Sequence, residues 1–255
     1  ANNHALDRGR KGLDRTIEVL DQKEIIQTGT FRDQASRLSY YPLILEKKGI
    51  RMALLNYTYG TNGIRDRPPA IVNRIDRTQI REDLVKAKTA QPDFILVTIH
   101  WGQEYQLSEN SRQQELAAFL FENGADAVIG SHPHVVQPVR GNGSGDLVAY
   151  SMGNLISNQR KRYRDGGILF ELVLSKNKVK AGDIPVREIE SYGYLPVWVW
   201  KPNTKKGTRF TLVPANLDPG SECLSAMSAE DRDLMTLFLE DTRSRLKGCR
   251  EVITP

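Results

Sequence analysis

Phe94-Ile95-Leu96-Val97-Thr98-Ile99-His100-Trp101-Gly102 and Ala125-Asp126-Ala127-Val128-Ile129-Gly130-Ser131-His132 are the stretches whose reading decides the fold. The first is an almost unbroken apolar run of strand length, the pattern of a strand buried on both faces. The second is a shorter run of the same kind. Each reaches a histidine close to a glycine. Between them, residues 111–122 place Leu116, Phe119 and Leu120 on one helical face, and Asn123-Gly124 supplies a stop. Strand, helix, strand in that order reads as a βαβ unit. Open α/β sheets hold their ligands at the carboxyl ends of such strands.

Working outward, residues 7–23 read as an amphipathic helix carrying Leu13, Ile17 and Leu20, with Asp7 able to cap it. A short buried strand is expected over 25–28, closed by Gly29. Residues 41–57 read as a hairpin around Glu46-Lys47-Lys48-Gly49. A second helix is expected over 75–90, starting near Asp76. After the βαβ unit the pattern changes, and 135–139, 147–152, 167–174 and 197–213 read as antiparallel strands. Residues 228–247 form a charged amphipathic helix at the C-terminal end. Repeats, low-complexity tracts and a clear linker are absent, so residues 1–255 read as a single α/β domain with mixed β-sheet layers flanked by helices.

The net charge of +5 over 255 residues is modest. It permits an anionic ligand, and without a basic-aromatic module it gives no reason to expect nucleic acid. No stretch approaches the roughly 18 apolar residues that span a bilayer. The chain opens inside a motif and without Met, as a trimmed or processed product would. Two cysteines, Cys223 and Cys249, flank the C-terminal helix. A disulfide in an exported protein and a pair of buried thiols are both compatible with that spacing.

All four histidines, His4, His100, His132 and His134, fall in three short patches beside a helix start or a strand end. Imidazole is a common neutral ligand for zinc, iron and manganese. In His132-Pro133-His134, alternate residues of an extended segment would point the same way, and Pro133 restricts the pair. An isolated His-x-His is more often a surface loop. Here Asn2-Asn3-His4 precedes a helix and His100 ends a buried strand, which favours a metal site.

These segments resemble the CapA family of poly-γ-glutamate capsule biosynthesis proteins, within the calcineurin-like metallophosphatase superfamily. The matching stretches are Asn2-Asn3-His4-Ala5-Leu6-Asp7-Arg8-Gly9, His100-Trp101-Gly102-Gln103-Glu104-Tyr105, Gly130-Ser131-His132-Pro133-His134-Val135-Val136-Gln137 and Tyr150-Ser151-Met152-Gly153-Asn154. The resemblance implies Asn3, His100, His132 and His134 as metal ligands, with His4 a general acid or transition-state stabiliser. It further implies two divalent ions (Mn, Zn or Fe) in an intact precursor. The family's acidic strand-end elements would lie before Ala1, and its N-terminal strands with them. Neutral ligands alone leave a divalent charge uncompensated, so partial or no metal is expected on this chain by itself.

Glu104 reads as a carboxylate orienting a ligand histidine or as an acid/base, against a solvated loop acid. Asn154 offers an amide to substrate or simply forms a turn. Arg160, Lys161, Arg162 and Arg164 form either a solvated face or a collector of polyanion, with Arg160 and Arg162 taken as the substrate-binding candidates. The resulting reading is a metal-dependent hydrolase or transferase acting on an anionic polymer such as poly-γ-glutamate, or on a phosphoester. Such a protein would be extracytoplasmic, anchored through an upstream segment and associated with a membrane capsule synthesis or export complex. A non-catalytic polymer-binding or export module and an acid/base epimerase using His4 or Glu104 are the alternatives.

Overall fold

The computed structural model describes residues 1–141, 145–177, 186–204 and 207–253. The chain packs as two compact units, each assembled from three segments. The first comprises Ala1–Trp101, Ser111–Gly130 and Gly141–Val148, and the second Gly102–Asn110, Ser131–Arg140 and Ala149–Pro255. Interleaving of this kind leaves no single linker for the sequence to display.

The first unit runs through α1 (Gly9–Gln22), β1 (Thr30–Phe31), α2 (Gln34–Tyr40), β2 (Leu43–Lys47), β3 (Ile50–Thr58), β4 (Ile71–Val72), α3 (Arg77–Thr89), β5 (Phe94–His100), α4 (Ser111–Glu122) and β6 (Ala127–Ser131). Strands β7 (Val139–Gly141) and β8 (Leu147–Ala149) follow where the chain changes units. The main sheet has six strands in the order β2-β3-β5-β6-β8-β7. Its β2–β3 pair is the antiparallel hairpin, with Lys47 opposite Ile50. Strand β5 lies parallel to β3, from Met52 beside Phe94 to Thr58 beside His100. The sheet is therefore mixed, and helices flank it.

Strand β5 is as apolar as the sequence requires: Phe94, Ile95, Val97 and Ile99 are all buried. Helix α3 begins where Asp76 accepts a hydrogen bond from the Gln79 amide, a side-chain cap of the expected kind. Helix α1 turns Leu13 and Ile17 inward, one turn apart, onto Leu6, Ala70 and Val72. Each such side chain contributes about 1.5–3 kcal/mol through burial.

Two expectations for this unit are corrected. Asp7 does not cap α1: Arg8 holds the cap position with no side-chain bond, and the Asp7 carboxylate goes to His4 instead. Residues 25–28 form no strand. Glu24, at φ 56, turns the chain as it leaves α1, and Ile25 and Ile26 stay 54% and 68% exposed. The strand is instead β1, two residues long and paired antiparallel with β4. An apolar pair that looks like strand core is thus the wall of a surface cavity.

A buried polar knot holds the first unit together. Arg37 reaches Asp83 with two bonds of 2.9 and 2.7 Å and Asn73 with a third of 2.9 Å. The Tyr57 hydroxyl donates to the same carboxylate at 2.9 Å. Burial holds the Asp83 carboxyl above its ordinary range, opposed by Arg37 and by the tyrosine.

The second unit is built on β9 (Gly166–Lys176) and β10 (Arg187–Trp200), followed by β11 (Asn203–Thr204), β12 (Gly207–Thr208), β13 (Thr211–Pro214), α5 (Glu222–Ser225), α6 (Ala229–Arg245) and β14 (Arg250–Glu251). Strand β10 pairs antiparallel with β9 and β13 and parallel with β14. The stretch expected as strands over 197–213 is the end of β10, the short antiparallel pair β11–β12 and most of β13, and its residues 205–206 lie outside the described residues. Helix α6, the expected C-terminal helix, is capped by Ser228 and begins with Glu230 and Asp231. It sets Met235 and Phe238 against Trp198, Val213, Ala215 and Met227.

Residues 135–138 are not an assigned strand, although Val136 bridges Met152, Gln137 N–H donates to Ser151 carbonyl and Tyr150 N–H to Pro138 carbonyl. Cys223 packs on the Trp198 cluster and Cys249 on a separate cluster around Tyr194 and Leu246. Both are free thiols, pushed above the ordinary range by burial. Among the described residues, no helix is long and apolar enough to cross a membrane.

The knot makes a direct prediction. The side chains of Arg37 and Asp83 are only 10% and 3% exposed. Removing one partner by Arg37→Met or Asp83→Asn should cost about 3–5 kcal/mol in urea denaturation. The double change Arg37→Met with Asp83→Leu should cost less than either single change. Additive losses would show the two groups to be uncoupled.

Candidate functional site

In the first unit, β5 ends on His100 and delivers it to the segment before α1. His100 Nε2 lies 2.9 Å from Asn3 Oδ1, so the ring N–H donates to the amide oxygen. Asn3 is itself buried, and its Nδ2 donates to Asn62 Oδ1 at 3.1 Å. The ring of Tyr59 stacks on His100, 6.3 Å between centres at an interplanar angle of 9°. His4 sits next along the chain, 2.7 Å from Asp7 Oδ2 through its Nδ1. Asn62 Nδ2 approaches that same nitrogen at 3.3 Å. The shorter contact to a carboxylate wins: Nδ1 carries the proton and donates to Asp7, leaving Nε2 as the basic nitrogen.

In the second unit, the His132-Pro133-His134 segment is bent and not extended. His132 has φ 104 and His134 φ 60, both in the left-handed region. The alternation expected of an extended pair is therefore replaced by a turn. It brings the two rings to 6.2 Å between centres, tilted by 51°. Tyr105 N–H donates to Pro133 carbonyl at 2.7 Å, tying the segment that follows β5 to this turn. Gln137, fully buried, donates to the carbonyls of Gln106 and Ser108 at 2.8 and 3.0 Å and fixes the same pair of segments.

Asn154 completes the group. Its Oδ1 accepts from His134 Nδ1 at 2.8 Å, and its Nδ2 donates to Arg164 carbonyl at 2.8 Å and to His134 carbonyl at 3.4 Å. The amide is placed by close backbone packing. A Cβ on Gly153, at φ 73, would lie 2.9 Å from Gly166 carbonyl, and one on Gly167 would lie 2.6 Å from Asn154 carbonyl. With Nδ1–H committed to Asn154, the lone pair of His134 sits on Nε2, which lies 3.9 Å from Glu104 Oε1.

The structure thus brings Asn3, His4 and His100 together in one unit and Glu104, His132, His134 and Asn154 together in the other. Arg160 and Arg162 are not part of either group. Arg160 sits over Trp198 and donates to Val199 carbonyl at 2.6 Å, while Arg162 makes two bonds of 2.8 Å to Asp241. The bond to Asp241 raises the Arg162 pKa further above its ordinary value. Tyr105 and Arg164, one in the His100 motif and the other in the basic cluster, stand outside the site candidates of the sequence, yet they meet here: the guanidinium carbon of Arg164 lies 3.3 Å from the centre of the Tyr105 ring, and that ring stacks on His134 at 6.0 Å.

As donors, the pairs suit a first-row divalent ion. Asn3 Oδ1 and His100 Nε2, 2.9 Å apart, are joined by a hydrogen bond, so His100 would ligate an ion through Nε2 only after that N–H proton is displaced. His134 has the orientation typical of a ligating imidazole, one nitrogen fixed on an amide oxygen and the other presented. Among the described residues, no group of three or more His, Cys, Asp or Glu side chains is gathered to hold a metal ion.

The fold and these motifs have relatives. The family model described as "Bacterial capsule synthesis protein PGA_cap" matches residues 1–159, and the chain belongs to that family. The "PGA biosynthesis protein CapA" of Bacillus subtilis (strain 168) is 30% identical over 215 residues, covering 82% of this chain and 54% of the relative. The "Capsule biosynthesis protein CapA" of Bacillus anthracis is 28% identical over 207 residues, covering 77% and 48%. The chain therefore spans about half the length of the curated relatives it matches. Among solved structures, the NAD nucleotidase (NadN) of Haemophilus influenzae aligns at TM-score 0.36 and 15% identity, over 96% of this chain and 40% of that one.

Asn154→Leu tests the orientation of His134. The substitution removes three hydrogen bonds from a buried amide and should destabilise the fold by about 2–3 kcal/mol. It should also convert His134 from the single Nδ1–H tautomer to a mixture, read from the ring ¹⁵N shifts. Unchanged ring shifts would show that Asn154 does not set the tautomer.

Proposed function

We propose that this chain is the metal-binding and polymer-handling part of a capsule biosynthesis protein, acting on an anionic polymer such as poly-γ-glutamate outside the cytoplasm. The observation that carries the reading is His134: Nδ1 is fixed by Asn154, and Nε2 is presented beside the Glu104 carboxylate. An imidazole held in this way is prepared to ligate and is not merely filling space. Within the second unit His132 is a further donor beside His134, and the motif resemblance assigns both as ligands, together with Asn3 and His100 of the first unit.

A divalent ion bound there would polarise an acyl or phosphoryl oxygen and lower the pKa of bound water. The protein groups do the remaining work. His4, with Nδ1 donating to Asp7 and Nε2 open, can take or give a proton. At 59% side-chain exposure, it meets solvent or ligand readily. Glu104 offsets positive charge at the His134 group and can accept a proton from water. Family membership supports the capsule and poly-γ-glutamate context.

Metal analysis of the full-length protein after loading with Mn²⁺ or Zn²⁺ tests the reading. Stoichiometric metal should be retained, with His134→Ala and His100→Ala each weakening binding at least about tenfold, the loss expected for one ligand. Turnover of bis(p-nitrophenyl) phosphate should fall with it. Retained binding of poly-γ-glutamate without metal or turnover would replace this reading with a non-catalytic binding module. Solvent deuterium appearing at a substrate carbon would replace it with an epimerase.

A further inference from the structure

The four basic residues in 160–164 have the same charge in the sequence, and their tertiary partners set them apart. Arg160 is occupied by Trp198 and the Val199 carbonyl, and Arg162 by Asp241. Arg164 is different. Its guanidinium lies over the Tyr105 ring at 3.3 Å, and among the described residues no carboxylate forms an ion pair with it. A cation held by its face keeps the N–H groups of its rim available to donate.

Two independent links connect this cation to the His134 group. Through the main chain, Arg164 carbonyl accepts from the same Asn154 amide whose oxygen holds His134. Through side chains, the ring beneath the guanidinium also stacks on His134. Backbone strain is concentrated in the same place: of the eight described non-glycine residues at positive φ, Tyr105, His132, His134 and Tyr163 belong to this group or adjoin Arg164. Holding bulky side chains in the left-handed region costs free energy, and functional sites are where proteins sustain it.

We infer that Arg164 is the anion-recognition residue of the His134 group, binding a carboxylate of an acidic polymer through its guanidinium fork while Tyr105 supports its face. The inference rests on the reading of His134 as a functional group given above and adds the residue that reads the substrate's charge. The planar fork matches two carboxylate oxygens at once, which a lysine ammonium cannot do. Phosphoryl oxygens offer the same geometry, so two polyanions are compared.

The experiment uses the full-length protein loaded with Mn²⁺, with poly-γ-glutamate and inorganic polyphosphate as probes in calorimetric titrations. Arg164→Gln should weaken poly-γ-glutamate binding about tenfold, as the loss of one charge-assisted bidentate contact does. Arg164→Lys should fail to restore it, and the salt dependence of binding should become shallower. Arg162→Gln, which loses the two bonds to Asp241 and the contact with the Tyr163 ring, should bind like the parent protein. Tyr105→Leu provides a second variant that keeps the guanidinium and removes its support, and it should weaken the same binding. Equal affinities for Arg164→Gln and the parent, full rescue by lysine, or an effect confined to polyphosphate would overturn the inference. Metal lost from the parent protein while Arg164→Gln still weakens polymer binding would overturn the metal reading alone.

Discussion

The second unit depends on one amide. Asn154 is the point at which three otherwise separate pieces of chain are fastened: the His132–His134 turn, the segment that carries Arg164, and its own strand-end backbone. Its position leaves no room for adjustment, because Gly153 and Gly167 let the two backbones approach to distances that a Cβ would block. An asparagine is suited to the task in a way that aspartate or leucine is not. It accepts from an imidazole N–H and donates to a carbonyl at once, which fixes the histidine tautomer without adding charge.

That fastening offsets a real cost. Left-handed backbone at Tyr105, His132 and His134 disfavours the folded state by about 1–3 kcal/mol per residue. Each hydrogen bond to Asn154 returns about 0.5–1.5 kcal/mol. The buried Gln137 adds two more bonds to the same loops, and the contact of Arg164 with Tyr105 adds about 0.5–2 kcal/mol. The two sides are comparable, so the turn persists because several contacts agree on it. In the first unit the position is different. There the Arg37–Asp83–Tyr57 knot lies among core residues, and His100 inherits its place from a strand that would form regardless.

That contrast explains what the sequence could and could not disclose. Strand β5 and helices α3 and α4 were legible because period and caps are local: the apolar run of 94–99, Asp76 before α3, and Leu116, Phe119 and Leu120 on one face of α4. The pair Ile25–Ile26 misled because apolar character cannot distinguish a buried strand from the wall of a cavity. Asp7 misled because two donors compete for one carboxylate, the α1 amides and His4, and the imidazole won. The bend at His132-Pro133-His134 was invisible because its cause lies about twenty residues ahead, at Asn154. The sorting of Arg160, Arg162 and Arg164 was more remote still. It is decided by Val199, Asp241 and Tyr105, partners brought close only by the folded chain.

Charge bears on how metal and polymer would interact on the proposed reading. In the His134 group, Glu104 and Arg164 carry opposite charges, so these two side chains together offer an anion little net attraction. A divalent ion on His134 would change that balance by two positive charges. Polymer carboxylates would then meet both a cation and the Arg164 fork. Equilibrium linkage makes the effect mutual: whatever factor the ion adds to polymer affinity, the polymer adds to ion affinity. A neutral donor set is weak at holding an ion alone, and the same neutrality makes its hold responsive to the substrate. On the proposed reading the histidine motif therefore acquires its meaning from the residues around it, Asn154 for orientation, Glu104 for charge and Arg164 for recognition.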